Sequence, residues 1–504
     1  MKKTRILLIS PPETLHQKFV KHNIYFPLGL MMLASMVRDI SEIKILNCML
    51  TSNPPTKQGD LTRVGMSDKE IEKQIKKFKP DIVGISVTFF PLIGGAKAIS
   101  KICKKINKNI VVVFGGAYTS IRYEKFLLDQ NCDYCVVGEG EETFREFVEK
   151  YNANMPLTDI KGIAYIVNNK VNLLRRELIK NLDNLPYPAY DLIDVNEYLK
   201  KKLVYTTELI PTRVMPILTS RGCPFNCVFC AIKKHMGQQW RPHSSEYVIN
   251  HIKYLMDNFG IKKIHILDDN FSADNERCEK ILDGIIPFKL KWDDPSGMRA
   301  DMLNYDLLKK MKESGNTDIQ IAIESGNQNV LNDIIKKNTS LKKIEEVVKD
   351  CKKLNIKLSA FYIIGFPGET IKTMKQTIDY AIRLLKDYGV SPCLYVANPI
   401  FGTDLYKTCE DNGYIRKGLD EKDLASGMSM NGTHLISTKE FNGGDIDRLV
   451  QYYQYQFNRQ YHLHHPVKSA RTFVSLFRQH PIITLKKTFG IIRNKKVELS
   501  KVKD

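Results

Sequence analysis

Two successive runs of alternating strand and helix constrain this chain more than any other feature. Over 1–150, short apolar runs at 5–10, 43–46, 82–87, 110–114 and 135–137 alternate with helical stretches. Each is continuous and apolar, the pattern of a parallel strand covered on both faces. The first ends at Pro11-Pro12, and 28–40 reads as a helix. Ser67-Asp68-Lys69-Glu70 is a capping box ahead of Ile71, Ile75 and Phe78 at helical spacing. Five such strands predict a doubly wound, Rossmann-like sheet of the flavodoxin-like kind, with its ligand beyond the carboxyl ends. A second alternation begins at 214, with strands predicted at 214–219, 263–267, 290–292, 319–323, 358–364 and 393–396. One of its helices is capped by Ser245, turns Val248, Ile249, Ile252, Leu255, Met256 and Phe259 inward, and stops at Gly260. Six β/α units predict a partial (β/α)6 TIM-like barrel with its chemistry at the carboxyl ends of the strands. Between the two lie a small hairpin at 163–173 around Asn168-Asn169 and a turn-rich Leu185-Pro186-Tyr187-Pro188. The expected organisation is thus an α/β chain. It has a Rossmann-like domain over 1–150, a linker over 151–205, a barrel over 206–410 and a mainly helical region over 411–504.

Composition excludes several alternatives. The longest stretch free of Lys, Arg, Asp and Glu, 388–403, has 16 residues and contains prolines. That is short of the ~18–20 apolar residues a spanning helix needs. The basic start Met1-Lys2-Lys3-Thr4-Arg5 is followed by too short an apolar run for a signal peptide, so a cytoplasmic location is expected. Lys plus Arg number 76 against 56 Asp plus Glu, a net +20. The segment 451–504 holds eleven Lys or Arg and two acids. Such a tail suits peripheral contact with an anionic membrane face or with nucleic acid, although a solvated basic surface is the plainer reading. No DNA partner is expected. Within it, the aromatic and histidine-rich stretch 452–465 reads as a helix packing its rings inward.

Eleven cysteines in a chain without an export signal argue for metal or catalytic use where they cluster. Cys132 and Cys135 have redox-motif spacing but run into a predicted strand, and buried thiols are the plainer reading. The sharp cluster is Cys223-Pro224-Phe225-Asn226-Cys227-Val228-Phe229-Cys230, directly after the first barrel strand. Three thiols in a short loop can hold one face of an iron–sulfur cluster and leave one iron open. Zinc would want a fourth ligand, for which His235 is the only candidate close by.

At these residues the chain resembles the radical S-adenosylmethionine (SAM) superfamily, whose signature is C-x3-C-x-Φ-C with an aromatic at the place of Phe229. The resemblance implies a 4Fe–4S cluster on Cys223, Cys227 and Cys230, with SAM chelated to its open iron. It also implies SAM contacts at Phe229 and the strand ends. These are Asp268 and Asp269 after the second strand, Arg299 after the third, Glu324 and Ser325 after the fourth, and Gly365 and Pro367 after the fifth. In place of the glycine-rich motif often found after the second strand stands Asp268-Asp269-Asn270. The first domain resembles the cobalamin-binding domain fused ahead of such barrels. Its Ser86, Thr88, Gly115, Gly116, Tyr118, Gly138 and Glu139 would face the corrin, at strand ends where glycines permit close approach. The Asp-x-His-x-x-Gly that ligates cobalt in many cobalamin domains is missing, and Tyr118 fills a slot where relatives often have His. The resemblance spans 5–406, about four-fifths of the chain.

Taken together, the two resemblances imply a cobalamin-dependent radical SAM enzyme. It would transfer a methyl group from SAM via methylcobalamin to an unactivated carbon of a small-molecule or biosynthetic intermediate. A one-electron donor such as flavodoxin or ferredoxin would drive it. A non-methylating radical cyclisation, rearrangement or oxidation is the alternative within the class. An RNA-modifying enzyme using the basic tail is the alternative outside it, without an RNA-binding module in the sequence. No single catalytic residue can be named from the sequence.

Overall fold

The computed structural model describes residues 3–16, 24–59, 61–201, 213–316, 318–427, 430 and 432–464. Most of the basic tail, and with it the expected membrane or nucleic-acid contact, lies outside the described residues. Strands Thr4–Ser10, Ser41–Asn47, Ile82–Ser86, Val111–Gly115 and Tyr134–Val136 pair in parallel, in the spatial order second, first, third, fourth, fifth. That is the flavodoxin-like order, which places a switch point between the first and third strands. Successive side chains of the first strand explain the doubly covered sheet. Ile6 and Leu8 enter one core with helix Leu28–Val37, and Leu7 and Ile9 enter the other with Ile71, Ile75 and Ala96. The capping box is present, with the Ser67 hydroxyl accepting from Glu70 N–H and the Glu70 carboxylate accepting from Ser67 N–H.

The hairpin, Ile163–Val167 with Lys170–Leu173, belongs to this sheet and extends it antiparallel beyond Tyr134–Val136. Asn168 and Asn169 have φ of 51° and 58°, the left-handed pair a two-residue hairpin turn requires. An antiparallel ribbon of Glu13–His16, Leu61–Val64 and Thr56–Gln58 was not foreseen. Its strands are short, and Thr56–Gln58 is wholly exposed, so it lacks the alternation that marks a strand. Cys132 and Cys135 lie with their sulfurs 3.4 Å apart, Cys135 fully buried.

The second alternation folds as expected into six parallel strands. Val214–Ile217, Lys263–Ile266 and Lys291–Asp293 form one group, and Asp318–Glu324, Lys357–Ile364 and Ser391–Val396 the other. A parallel bridge between Met298 and Ile321 joins them. Ile319, Ile321, Ile323, Leu358, Ala360, Tyr362 and Ile364 are buried beneath the helices. The alternate residues Gln320, Ala322, Phe361 and Cys393 are partly exposed on the opposite face, and Tyr395 more so. The cap of helix Ser245–Phe259 is Ser244, one residue before the expected Ser245, and its hydroxyl accepts from Tyr247 N–H. Gly260 ends the helix at φ 56°.

Among the described residues, three helices follow the barrel: Asp404–Asp411, Glu421–Ser426 and Gly443–His464. In the last, Tyr453 is buried and its hydroxyl donates to the Pro392 carbonyl at 2.9 Å, while Tyr452, Tyr455, Phe457 and Tyr461 are half-buried. No helix among the described residues is long and apolar enough to cross a membrane. One of the two large cores runs without interruption from Ile6 and Phe147 of the first sheet, through Tyr190 and Tyr198, to the barrel strands.

Candidate functional site

The cysteine loop leaves the barrel at Ser220–Arg221 and returns at Arg241–Pro242, two short strands paired antiparallel. Gly222 opens it with φ 81°, and a Cβ there would stand 2.5 Å from the Gln239 carbonyl oxygen. Only glycine fits where the two sides of the loop pass. Deeper in the loop, Val228 N–H donates to the Ile335 carbonyl, and the Val228 carbonyl accepts from Leu405 N–H. Phe229 packs on Phe366 at 5.8 Å between ring centroids, joining the loop to the turn after the fifth strand. Cys223, Cys227 and Cys230 are all partly exposed on this loop. Burial raises all three thiols, Cys230 to about 12. Against burial, Arg299 draws Cys223 and Cys227 down, and Lys337 does so for Cys227.

Among the described residues, no three His, Cys, Asp or Glu side chains converge as the ligands of one ion do. A single zinc ion needs donors aimed at one point, whereas a cluster binds each thiolate to a different iron. His235, the sequence candidate for a fourth zinc ligand, has Nδ1 3.2 Å from the Ala231 carbonyl. The donor set of three thiols on one loop, with two cations beside them, suits an anionic cluster.

The strand ends divide into groups that face the loop and groups spent on structure. Asp268 is fully buried. Its carboxylate accepts from Thr219 N–H and Oγ1 at 2.6 Å and from Ser220 Oγ at 2.5 Å, which ties the second strand's end to the first. Asp269 accepts from Gly222 N–H at 3.0 Å, and burial raises it to about 6. Arg299 forms a two-pronged pair with Asp301 and donates to the Lys337 carbonyl. Its guanidinium lies 3.6 Å from the centroid of Phe225, inside the cysteine loop, and its Nη1 has no partner. Glu324 sits at a register shift with φ 70°, a left-handed backbone that glutamate rarely adopts, and pairs with Lys337 at 2.9 Å. Ser325 Oγ is engaged by Thr377 Oγ1 at 2.8 Å and by Asn327 N–H. Gly365 has φ 93°. Its N–H and that of Phe366 both donate to Glu369, whose carboxyl burial raises to about 8. Pro367 is half-buried in the same turn.

In the first domain the carboxyl ends of the strands present a mixed set. Thr88 and Phe89 are exposed, Ser86 is half-buried, and Gly138, at φ 86°, has open space where a Cβ would stand. Gly116 passes close to neighbouring backbone, where a Cβ would lie 2.9 Å from the Val87 carbonyl, whereas at Gly115 a Cβ would meet only the Val136 side chain, at 3.8 Å. Tyr118 does not face this opening: it is 2% exposed, packed with Phe90 and Phe126 in the apolar core. Residues 24–150 contain no histidine, so none follows the second to fifth strands of this sheet. Glu139 is turned toward the barrel. It accepts from Arg221 Nη1 at 2.9 Å, from Arg241 Nη1 at 2.8 Å and from Ile179 N–H at 2.7 Å. Glu141 accepts from Arg221 Nη2 at 2.7 Å. Open glycines and exposed hydroxyls at strand ends suit a large flat ligand, whereas Tyr118 and Glu139 are committed elsewhere. Sequence reasoning missed Arg221, Arg241 and Lys337. Ordinary arginines and lysines carry no spacing signal, although Arg221 directly precedes Gly222-Cys223.

Residues 217–381 match the radical SAM superfamily, and residues 20–148 match the B12 binding domain. An uncharacterized methyltransferase of Pyrococcus horikoshii is 37% identical over 417 residues, covering 82% of this chain and 85% of that one. Cytidylyl-2-hydroxyethylphosphonate methyltransferase of Streptomyces wedmorensis is 29% identical over 445 residues, 82% of each chain. Among solved structures, the cobalamin-dependent S-adenosylmethionine radical enzyme OxsB, with aqua-cobalamin and S-adenosylmethionine bound, aligns with a TM-score of 0.71. It is 16% identical, with 99% of this chain and 81% of that one covered. The radical S-adenosylmethionine methyltransferase TsrM from Kitasatospora setae, with cobalamin and a [4Fe-4S] cluster bound, gives 0.65 at 16% identity, covering 90% and 85%. At such identity these two are likenesses of fold.

Proposed function

Because the chain belongs to the radical SAM superfamily and sets a B12-binding domain ahead of its barrel, we propose that it methylates an unactivated carbon of a small molecule. The observation that carries this reading is the meeting of two strand-end regions. Glu139, after the fifth strand of the first sheet, lies against Arg221, two residues before Cys223. When bound, cluster-held SAM supplies a 5′-deoxyadenosyl radical and the corrin supplies the methyl group. The chain's part is to hold and orient. Cys223, Cys227 and Cys230 would hold the cluster, with Phe229 fixing their loop against Phe366. Arg299 keeps one unpartnered nitrogen and a cation's charge beside the loop, suited to an anionic group. Glu324, fixed by Lys337, keeps a carboxylate at the fourth strand's end. Ser86, Thr88, Gly115 and Gly138 would line the corrin, and Phe361 with Tyr395, 6.0 Å apart, would wall the substrate. Asp268, Ser325 and Glu369 act by shaping these ends rather than by touching ligand. Domain limits follow the hairpin: the first domain is best extended to 173. A one-electron donor such as flavodoxin or ferredoxin, and a cytoplasmic location, complete the reading.

The test is SAM carrying a labelled methyl group, incubated with reduced, reconstituted protein and a small-molecule cell extract. The label should pass to a small product, with S-adenosylhomocysteine and 5′-deoxyadenosine formed in comparable amounts. Formation of 5′-deoxyadenosine alone, with no label in product, would move the assignment to radical rearrangement or oxidation. Added hydroxocobalamin should bind without the spectrum of a histidine-ligated cobalt, since the sequence has no Asp-x-His-x-x-Gly run.

A further inference from the structure

We infer that the first domain holds the cysteine loop closed at its neck, with Glu139 as the positioning residue and Glu141 as its support. The inference rests on the proposed function only in taking that loop as the cluster's. The neck is a ladder of two residue pairs, Ser220 with Pro242 and Arg221 with Arg241. So short a ladder is not stable by itself. Closing the nineteen residues 222–240 above it also costs chain entropy. Two arginines of like charge stand side by side at this point, which would push the neck apart if nothing stood between them. Glu139 stands between them and accepts from both, and Glu141 takes the remaining prong of Arg221. The four groups sum to zero charge, and each of the four residues is at most 8% exposed. Arg241 transmits the hold inward, since its Nη2 donates to the Met236 carbonyl at 3.0 Å. Met236 lies on the far side of the loop, where its carbonyl would stand 3.1 Å from a Cβ on Gly222. A chain of direct contacts thus runs from the strand-end loop that holds Gly138 to the residue preceding Cys223. It does not pass through the barrel. The domain expected to carry the corrin is thereby also a wall of the cluster site.

Lys233 and Lys234, inside the loop, provide a readout that needs no cofactor. Trypsin should cut the full-length apoprotein at these lysines about tenfold faster in Glu139→Gln than in the wild type, the effect of losing charge-assisted hydrogen bonds. Glu141→Gln, which weakens a single contact to Arg221, should fall between. Glu142→Gln, at an exposed neighbouring carboxylate 3.6 Å from Arg176, should match the wild type. In reconstituted protein, chelators should strip iron from Glu139→Gln about tenfold faster too, while SAM-free absorbance at loading stays that of a cluster. Equal cleavage in Glu139→Gln and wild type would overturn the inference. If Glu139→Gln fails to fold, Glu141→Gln decides it by the same comparison. A wild type that takes up no iron–sulfur at all would sink the proposed function instead, and the proteolysis would still decide the clamp.

Discussion

Gly222 and Glu369 show how single residues set the geometry of the loop and of the turn beneath it. Alanine at 222 would force a methyl group to 2.5 Å from the Gln239 carbonyl, at a φ of 81° that L-residues resist by about 1–2 kcal/mol. Gly222→Ala should therefore keep a cooperative thermal transition, lowered by a few degrees, yet lose most iron uptake on reconstitution, measured as iron and sulfide per chain. Retention of full iron content would show that the neck can spread. Glu369 has its carboxyl raised to about 8, above the unfolded value, so it is largely protonated in the fold at pH 7. Stability from such a group is fully present below its unfolded pKa and is lost as pH rises through about 8. Glu369→Gln should cost less than about 1 kcal/mol at pH 7 and flatten the stability loss between pH 7 and 9, whereas Glu369→Ala should cost about 2. Urea titrations at both pH values distinguish these outcomes. The three cysteines were legible in the sequence because their spacing is fixed within one short loop, and the carboxylates at the strand ends were marked by the family resemblance. Their partners were not. Nothing in the order of residues tells that Thr219 and Ser220 reach Asp268 first, or that Glu139 faces two arginines 82 and 102 positions away.

Helix Ser245–Phe259 and the segment Tyr187–Tyr190 depart furthest, at the scale of elements, from what periodicity gives. The proline-rich run marked a boundary, but its rings pack on the helix: Tyr187 stacks on His251 at 4.3 Å, and the Tyr190 hydroxyl lies 3.0 Å from His251 Nε2. His243 stacks on Tyr247 at 4.0 Å and pairs with Asp183. A turn-rich segment has no repeat from which such stacking can be read, whereas the strands and helices on either side follow periods of two and 3.6. Burial lowers His251 to about 3 and His243 to about 4, below the unfolded value of 6.5. Both are neutral in the fold, and the unfolded chain takes up the protons as pH falls. Their stabilising contribution is present above 6.5 and is lost on acidification toward 4 and 3. At pH 5 the linkage is worth about 2 kcal/mol for each. The thermal midpoint should fall between pH 7 and pH 5, and His251→Phe should reduce that fall even if it lowers the midpoint at pH 7. An unchanged pH dependence in this variant would mean that His251 is solvated in solution.

The two halves of the molecule share a core and a buried ion-pair cluster, so they should not melt as separate domains. Ile6, Leu8 and Phe147 of the first sheet belong to the same apolar cluster as Ile217, Ile264 and Ile321 of the barrel. At their contact, Arg221 and Arg241 are buried only because Glu139 and Glu141 neutralise them, and uncovering one partner of such a pair costs about 3–5 kcal/mol. Barrel unfolding alone would expose that apolar surface and strand the carboxylates; unfolding of the first domain alone would strand the arginines. Either route meets both penalties before the remaining half has gained any freedom. The chain reports on the two halves separately, because its only tryptophans, Trp240 at the end of the cysteine loop and Trp292 on a barrel strand, both belong to the second half, while far-UV circular dichroism sees every helix. In urea the two signals should trace one transition with the same midpoint. Glu139→Ala should shift both signals to lower urea, or part them with the first domain yielding ahead of the tryptophans. Tryptophan and dichroism curves already separated in the wild type would mean that the shared core is too thin to couple the halves. The clamp on the cysteine loop would then have to act between independently stable bodies.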